Sequence, residues 1–122
     1  MPKRVLLVED EPNIIEAIRF ILSRDGWDVR SHSDGATAVA TVTAMPPDVL
    51  ILDAMLPGRS GFDILKDLRS QPETSALPVL MLTAKGQVKD REMAEAYGVS
   101  EFMTKPFSNA DVLATVNALA VK

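Results

Sequence analysis

Three short runs of consecutive apolar residues punctuate the chain: Val5-Leu6-Leu7-Val8, Val49-Leu50-Ile51-Leu52 and Val79-Leu80-Met81-Leu82. Runs this short, oily throughout rather than alternating, predict strands buried on both faces, the habit of parallel sheets. Glu101-Phe102-Met103-Thr104 predicts a further short strand, and the alternating stretch from Trp27 to Ser31 predicts a weaker one nearer an edge. Helical spacing fills the gaps. Pro12 suits a first helical position, and Ile14, Ile15, Ile18, Ile21 and Leu22 make one stripe that ends at Asp25-Gly26. Asp34 can cap a helix carrying Ala38, Val39 and Val42, broken by Pro46-Pro47. Phe62, Ile64, Leu65 and Leu68 form the face of a third helix, which ends at Pro72. After a loop at Lys85-Gly86, a fourth helix runs from about Lys89 to Tyr97 and stops at Gly98, the residue a C-terminal cap wants. The last helix starts near Ser108-Asn109 and buries Val112, Leu113, Val116 and Leu119.

Strand and helix thus alternate five times, which predicts an α/β domain with a parallel sheet and helices on both faces. No linker, internal repeat or low-complexity segment interrupts the 122 residues, and the whole of 1–122 reads as one domain. In an open parallel sheet the carboxyl ends of the strands share one edge, and ligands bind there. The first run leads into Glu9-Asp10-Glu11, the next ends at Asp53, the next at Thr83, and the fourth segment at Lys105. Acids, a hydroxyl and a lysine should therefore meet in one crevice.

Composition narrows the classes. A net charge of −4 argues against non-specific binding to nucleic acid or to a membrane surface, both of which want a basic face. The chain has no cysteine, which excludes disulfides, thiolate metal sites and cysteine nucleophiles. Lys3 and Arg4 precede an apolar stretch of only four residues followed by three acids, unlike a signal peptide. No stretch approaches the roughly 18 apolar residues of a membrane span, so a soluble cytoplasmic protein is expected.

Magnesium takes oxygen ligands, commonly one or two carboxylates with waters and phosphate oxygens. Glu9 and Asp10, with Asp53 at a neighbouring strand end, supply such a set, and a cation would offset the repulsion between packed acids. Glu11 is better read as an acid of the first helical turn, where it favours the dipole. Aspartate after a strand is also an ordinary turn residue, and on pattern alone both readings of Asp53 stand. Downstream residues favour the chemical one. A carboxylate can attack a phosphoryl group to give an aspartyl phosphate, and the transfer needs little beyond a metal, a fixed cation and hydrogen-bond donors. Lys105 can be that cation and Thr83 a donor.

These residues resemble the receiver (CheY-like) domain of two-component response regulators. The resemblance covers essentially the whole chain. It rests on Val8-Glu9-Asp10-Glu11, Leu52-Asp53-Ala54-Met55-Leu56-Pro57-Gly58 with Gly61, Leu82-Thr83-Ala84, and Thr104-Lys105-Pro106-Phe107. It implies a flavodoxin-like, doubly wound five-stranded sheet in the order 2-1-3-4-5, with the crevice where the order reverses. It further implies that Asp53 accepts a phosphoryl group from a histidine kinase or phosphotransfer protein. Mg²⁺ would sit on Glu9, Asp10, Asp53 and the backbone carbonyl of Met55. Lys105 would pair with phosphoryl oxygens and Thr83 would be the switch hydroxyl. Phe102 would be the switch aromatic that turns inward as Thr83 moves, altering the face of the fourth helix, fifth strand and last helix for a downstream partner. The Lys105-Pro106 bond would be cis, whereas local chemistry alone favours trans, cis occurring in about 5–6% of such bonds.

Some positions depart from the family pattern. Ser60 stands where many relatives carry an acid, in a loop expected to tolerate it. Met55 and Lys85 occupy the two positions that, in the family it resembles, tune hydrolysis of the aspartyl phosphate. The last helix, Asn109 to Val121, has no Arg or Lys, which argues against dimerisation through arginines on that helix. Lys122 ends the sequence, so the chain reads either as a stand-alone regulator or as a receiver separated from an output domain. An enzyme reading, an aspartate-nucleophile phosphatase, wants a second Asp at position 55, where Met stands. A flavin carrier wants a Ser/Thr/Gly-rich phosphate loop, where Glu9-Asp10-Glu11-Pro12 would repel phosphate. The expected protein is a switch and not an enzyme. His32 reads as a surface residue, Trp27 as cover for the base of the sheet, Met81 and Met103 as core. The charges Lys89, Asp90, Arg91, Glu92 and Glu95 read as a solvated helix face that is also a partner surface in the family.

Overall fold

The uniformly oily runs become the three central strands. In the computed structural model, which describes residues 3–84 and 88–121, these are β1 (Arg4–Val8), β3 (Val49–Asp53) and β4 (Val79–Thr83). The edges are β2 (Asp28–His32) and β5 (Glu101–Thr104), and every pairing in the order β2-β1-β3-β4-β5 is parallel. The helices are α1 (Pro12–Arg24), α2 (Ala38–Ala44), α3 (Gly61–Ser70), α4 (Val88–Ala96) and α5 (Asn109–Ala120), with a 3-10 turn at Gly35–Thr37 leading into α2.

The runs are oily at every position because successive side chains point to opposite faces and both faces are covered. Leu6, Val8, Leu50, Leu52, Val79 and Met81 pack on one side against Ala38 and Val42 of α2, Ile64, Leu65 and Leu68 of α3 and Ala94 of α4. Val5, Leu7, Val49, Ile51, Leu80 and Leu82 pack on the other against Ile18 and Leu22 of α1 and Val112, Val116 and Leu119 of α5. Trp27 closes the base of this second layer, its Nε1–H donating to Asn117 Oδ1 at 3.0 Å.

The element boundaries differ from expectation in small ways, each with a cause. The Trp27 N–H bonds back to Leu22 O, so Trp27 belongs to the turn that ends α1, and β2 begins one residue later and takes in His32. Asp34 caps the 3-10 turn rather than α2 itself, its carboxylate accepting from Ala36 N–H at 3.0 Å. Leu113 and Met103 are half-buried at the flank of their layer, whereas both were expected in the core. Gly98 ends α4 as expected with φ of +90°, a conformation that an L side chain resists. The predicted Lys85-Gly86 loop falls outside the described residues. Among the described residues no helix is long and apolar enough to cross a membrane.

Candidate functional site

Because the strands run parallel, their carboxyl ends open on one edge, and the register decides which residues meet there. Val8 pairs with Leu52, Asp53 with Leu82, and Thr83 with Thr104. Glu9-Asp10 after β1, Asp53 and Thr83 ending β3 and β4, and Lys105 after β5 therefore share one rim. The ladder continues past the strands: Ala54 N–H donates to Leu82 O at 2.8 Å and Lys105 N–H to Thr83 O at 2.7 Å. Glu9 N–H donates to His32 O at 3.0 Å, so β2 also helps fix the acidic end of β1.

Glu9, Asp53 and Thr83 are buried, which is unusual for two carboxylates. Lys105 Nζ sits among the acids, 3.2 Å from Glu9 Oε1, 3.3 Å from Asp53 Oδ2 and 3.3 Å from Glu11 Oε1. Burial alone would lower its ammonium pKa. The negative charges of Asp53 and Glu9, with the close Glu9 carboxylate and a hydrogen bond to Glu11, outweigh burial and raise it. Glu9 behaves oppositely. Burial first, then a hydrogen bond and repulsion from Asp53, push it up to about 7 against the relief from the Glu11 N–H and Lys105. Its Oε2 accepts from the backbone N–H of Asp10 at 3.1 Å and of Glu11 at 3.2 Å. Its Oε1 is buried and, despite the nearby ammonium, accepts no aligned hydrogen bond among the described residues.

Such an oxygen takes either a proton or a cation. One carboxylate oxygen each from Glu9, Asp10 and Asp53 lie within 4.8 Å of one another, with Asp10 exposed to solvent. Three hard oxygen donors with one solvent-facing member fit a hydrated, hard divalent cation such as Mg²⁺. Zinc's preferred nitrogen and sulfur donors are not in this set.

The loop after β3 is held from three sides. Met55 N–H donates to Asp53 Oδ1 at 3.2 Å, while the Met55 side chain is 62% exposed. Ser60, expected in a tolerant loop, is instead the N-cap of α3, its Oγ accepting from Asp63 N–H at 3.2 Å. Ser60 followed three residues later by an acid is a capping signature. Gly61 N–H bonds to Ala54 O at 2.9 Å, and a Cβ there would stand 2.2 Å from Asp53 O, so only glycine lets α3 start this close to β3. Gly35 N–H donates to Pro57 O at 2.9 Å and secures the loop from the β2 side.

The acids, Thr83 and Lys105 expected at one rim meet there. Glu11, expected in the first helical turn, stands one position earlier at the N-cap of α1, makes no side-chain cap hydrogen bond and also reaches Lys105. The Lys105-Pro106 bond is cis, as the family resemblance implied and local chemistry did not. The His32 ring is half-buried with Nε2 2.7 Å from Thr37 Oγ1. Phe102 lies inside, 9% exposed, with the Arg91 guanidinium 5.0 Å from its ring centre. Lys85 falls outside the described residues.

Comparison with known proteins identifies the family. Residues 5–117 match the family model of the response regulator receiver domain. The chain is 40% identical over 119 residues to the alkaline phosphatase synthesis transcriptional regulatory protein PhoP of Bacillus subtilis, covering 98% of this chain and 49% of that protein. It is 41% identical over 118 residues to the transcriptional regulatory protein TrcR of Mycobacterium tuberculosis, covering 97% and 45%. The chain spans about half the length of the curated relatives it matches. Among solved structures it resembles the receiver domain of the sensor histidine kinase PA1611 of Pseudomonas aeruginosa, which has a magnesium ion coordinated in its active site cleft. The TM-score is 0.91 and the identity 27%, with both chains covered in full. It also resembles the chemotaxis response regulator CheY4 of Vibrio cholerae, with TM-score 0.90, identity 28%, and 98% and 99% of the two chains covered. With its five-stranded sheet and acid-lysine crevice, the chain belongs to the receiver domain family of two-component response regulators.

Proposed function

We propose that this receiver is a phosphorylation-dependent switch in which Asp53 is the phosphoacceptor. The observation that carries the reading is the Lys105 ammonium 3.3 Å from Asp53 Oδ2, beside the Glu9-Asp10-Asp53 cluster, of which Glu9 and Asp53 are buried. Asp53 attacks the phosphorus of a phosphohistidine on a histidine kinase or phosphotransfer protein. The new O–P bond forms as the P–N bond breaks, and the histidine leaves with the electron pair. Mg²⁺ held by Glu9, Asp10, Asp53 and the Met55 carbonyl would neutralise charge on the phosphoryl oxygens. Lys105 balances the charge that stays on the product, and the Thr83 hydroxyl donates to a phosphoryl oxygen. The buried end of the cleft, where Glu9 and Asp53 lie, strengthens these interactions relative to bulk water.

The added charge, up to about two negative units, draws on Thr83 and Lys105. Both belong to the rim joined to β5, so the response passes to the face of α4, β5 and α5. A partner that binds the shifted face more tightly displaces the equilibrium by its differential affinity. That reader is an output domain or a separate downstream protein. The two curated relatives named above are transcriptional regulators about twice as long as this chain. Lack of cysteine accords with a reducing, cytoplasmic setting.

Incubation with acetyl phosphate and Mg²⁺, followed by intact-mass measurement, tests the assignment. Wild type should gain the mass of one phosphoryl group and Asp53→Ala should not. An equal gain in the variant would remove Asp53 from this role.

A further inference from the structure

Phe102 stands on an edge strand, where one flank has no neighbouring strand, yet its ring is only 9% exposed. It packs with Val79, Met81 and Ala94 beneath α4. Over it sits the guanidinium of Arg91, 5.0 Å from the ring centre. Arg91 is exposed and forms no ion pair with a carboxylate among the described residues, although it lies in a helix segment rich in acids, Asp90, Glu92 and Glu95. Its side chain is thus committed to the aromatic face rather than to the charges beside it. Arginine suits this contact because its planar cation is weakly hydrated and stacks on an aromatic ring.

We propose that Arg91 is a lid that holds the Phe102 ring inside, so that the inward ring does not depend on phosphorylation. The regulatory meaning rests on the receiver reading above, while the lid itself does not. The resemblance implies a ring that turns inward as Thr83 moves. Here the ring's position is set from outside, by a cation on α4, and the shape of the α4-β5 surface follows from where that cation goes. The contact at a solvent-facing site is worth a bias of roughly two- to five-fold between inward and outward rings. Loss of the guanidinium therefore produces a measurable outward population without unfolding the domain. Lysine, a cation that stacks less well, restores part of the bias, whereas glutamate, whose charge opposes the ring's negative face, removes more of it.

The ring can be read directly. Wild type, Arg91→Ala, Arg91→Lys and Arg91→Glu are labelled with 4-fluorophenylalanine and observed by fluorine NMR without any phosphodonor, the Phe102 signal being assigned from its loss in Phe102→Leu. The chain has four phenylalanines, so the spectrum is simple. The Phe102 signal should show little solvent-isotope shift in wild type, a clear increase in Arg91→Ala, a larger one in Arg91→Glu and an intermediate value in Arg91→Lys. The Phe20 signal, which reports on distant α1, should not move. An unchanged Phe102 signal in Arg91→Ala, or equal shifts in the alanine and lysine variants, would overturn the lid. Acetyl phosphate labelling of the same samples separates the two claims. Failure of wild type to label at Asp53 counts against the function and leaves the ring measurement to decide the lid alone.

Discussion

Among the described residues Lys105 is the one cation within ion-pair distance of Glu9, Glu11 and Asp53 together, so its removal tests how far the crevice depends on a fixed positive charge. Lys105→Met keeps the bulk of the stem and deletes the charge. Loss of a preorganised electrostatic contact typically costs about 10²–10³ in rate. The rate of Asp53 labelling by acetyl phosphate, followed by mass spectrometry over time, should fall by that order in the variant. A variant that labels as fast as wild type would mean that the metal alone supplies the charge stabilisation. At this scale it was the meeting place that was legible: Asp53, Thr83 and Lys105 each follow or end an oily run, and the parallel sheet brings them to one rim, although on pattern alone Asp53 could also be a turn residue. It was not legible for Glu11, whose position before Pro12 suits a helix start equally well. The lysine that ends 3.3 Å from it lies 94 residues further along the chain, a pairing the local sequence does not announce.

At the scale of the element, the strands could be read because burial on both faces leaves an unbroken apolar run, a pattern a surface helix does not share. The strand order could not be read from the runs themselves and came with the family resemblance, while the register is seen only in the structure. The start of α3 was legible only in part. Ser60 caps it through Asp63 N–H, so Ser60→Ala should destabilise the domain by about 1 kcal/mol in urea unfolding. Gly61→Ala should be worse, since the added Cβ meets backbone, not a yielding side chain, and overpacking of that kind costs about 1–3 kcal/mol. Because the displaced atom is Asp53 O, Gly61→Ala should also slow Asp53 labelling, whereas Ser60→Ala should leave labelling near wild type. Equal labelling in both variants would separate the α3 start from the site. On the opposite face of the sheet, α5 offers no basic side chain from Asn109 to Ala120 for cross-dimer ion pairs. Gel filtration with beryllofluoride should therefore show no strong shift to dimer, and a clear shift would mean that another surface mediates association.

At the scale of the whole molecule, the buried carboxyl of Glu9 ties folding stability to pH and, on the proposed reading, to metal. Glu9 is pushed up to about 7 from an ordinary 4.5, so the fold prefers its neutral form. Below pH 4.5 both folded and unfolded chains keep that proton, and Glu9 contributes no penalty. Between 4.5 and 7 the unfolded chain releases it while the folded chain holds it, so stability falls as pH rises, and above 7 the loss is complete. The gap from 4.5 to about 7 corresponds to roughly 3 kcal/mol, large beside the total stability of a small domain. The raised pKa of Lys105 adds nothing in this window, because that contribution is lost only at pH near or above the ordinary lysine value. A divalent cation held at Glu9 Oε1 would compete with the same proton, so Mg²⁺ should stabilise the protein by about 2.7 kcal/mol at pH 8 when present at a hundred times its dissociation constant there, and by less at pH 5. Urea midpoints at both pH values, with and without Mg²⁺, measure this directly. Glu9→Gln removes the titrating proton while keeping the shape. The metal-free decline between pH 4.5 and 7 should flatten in that variant and its extra Mg²⁺ stabilisation at pH 8 should shrink. A Glu9→Gln protein that keeps the full decline would show that another group carries the pH dependence and that the acid cluster is not strained by Glu9.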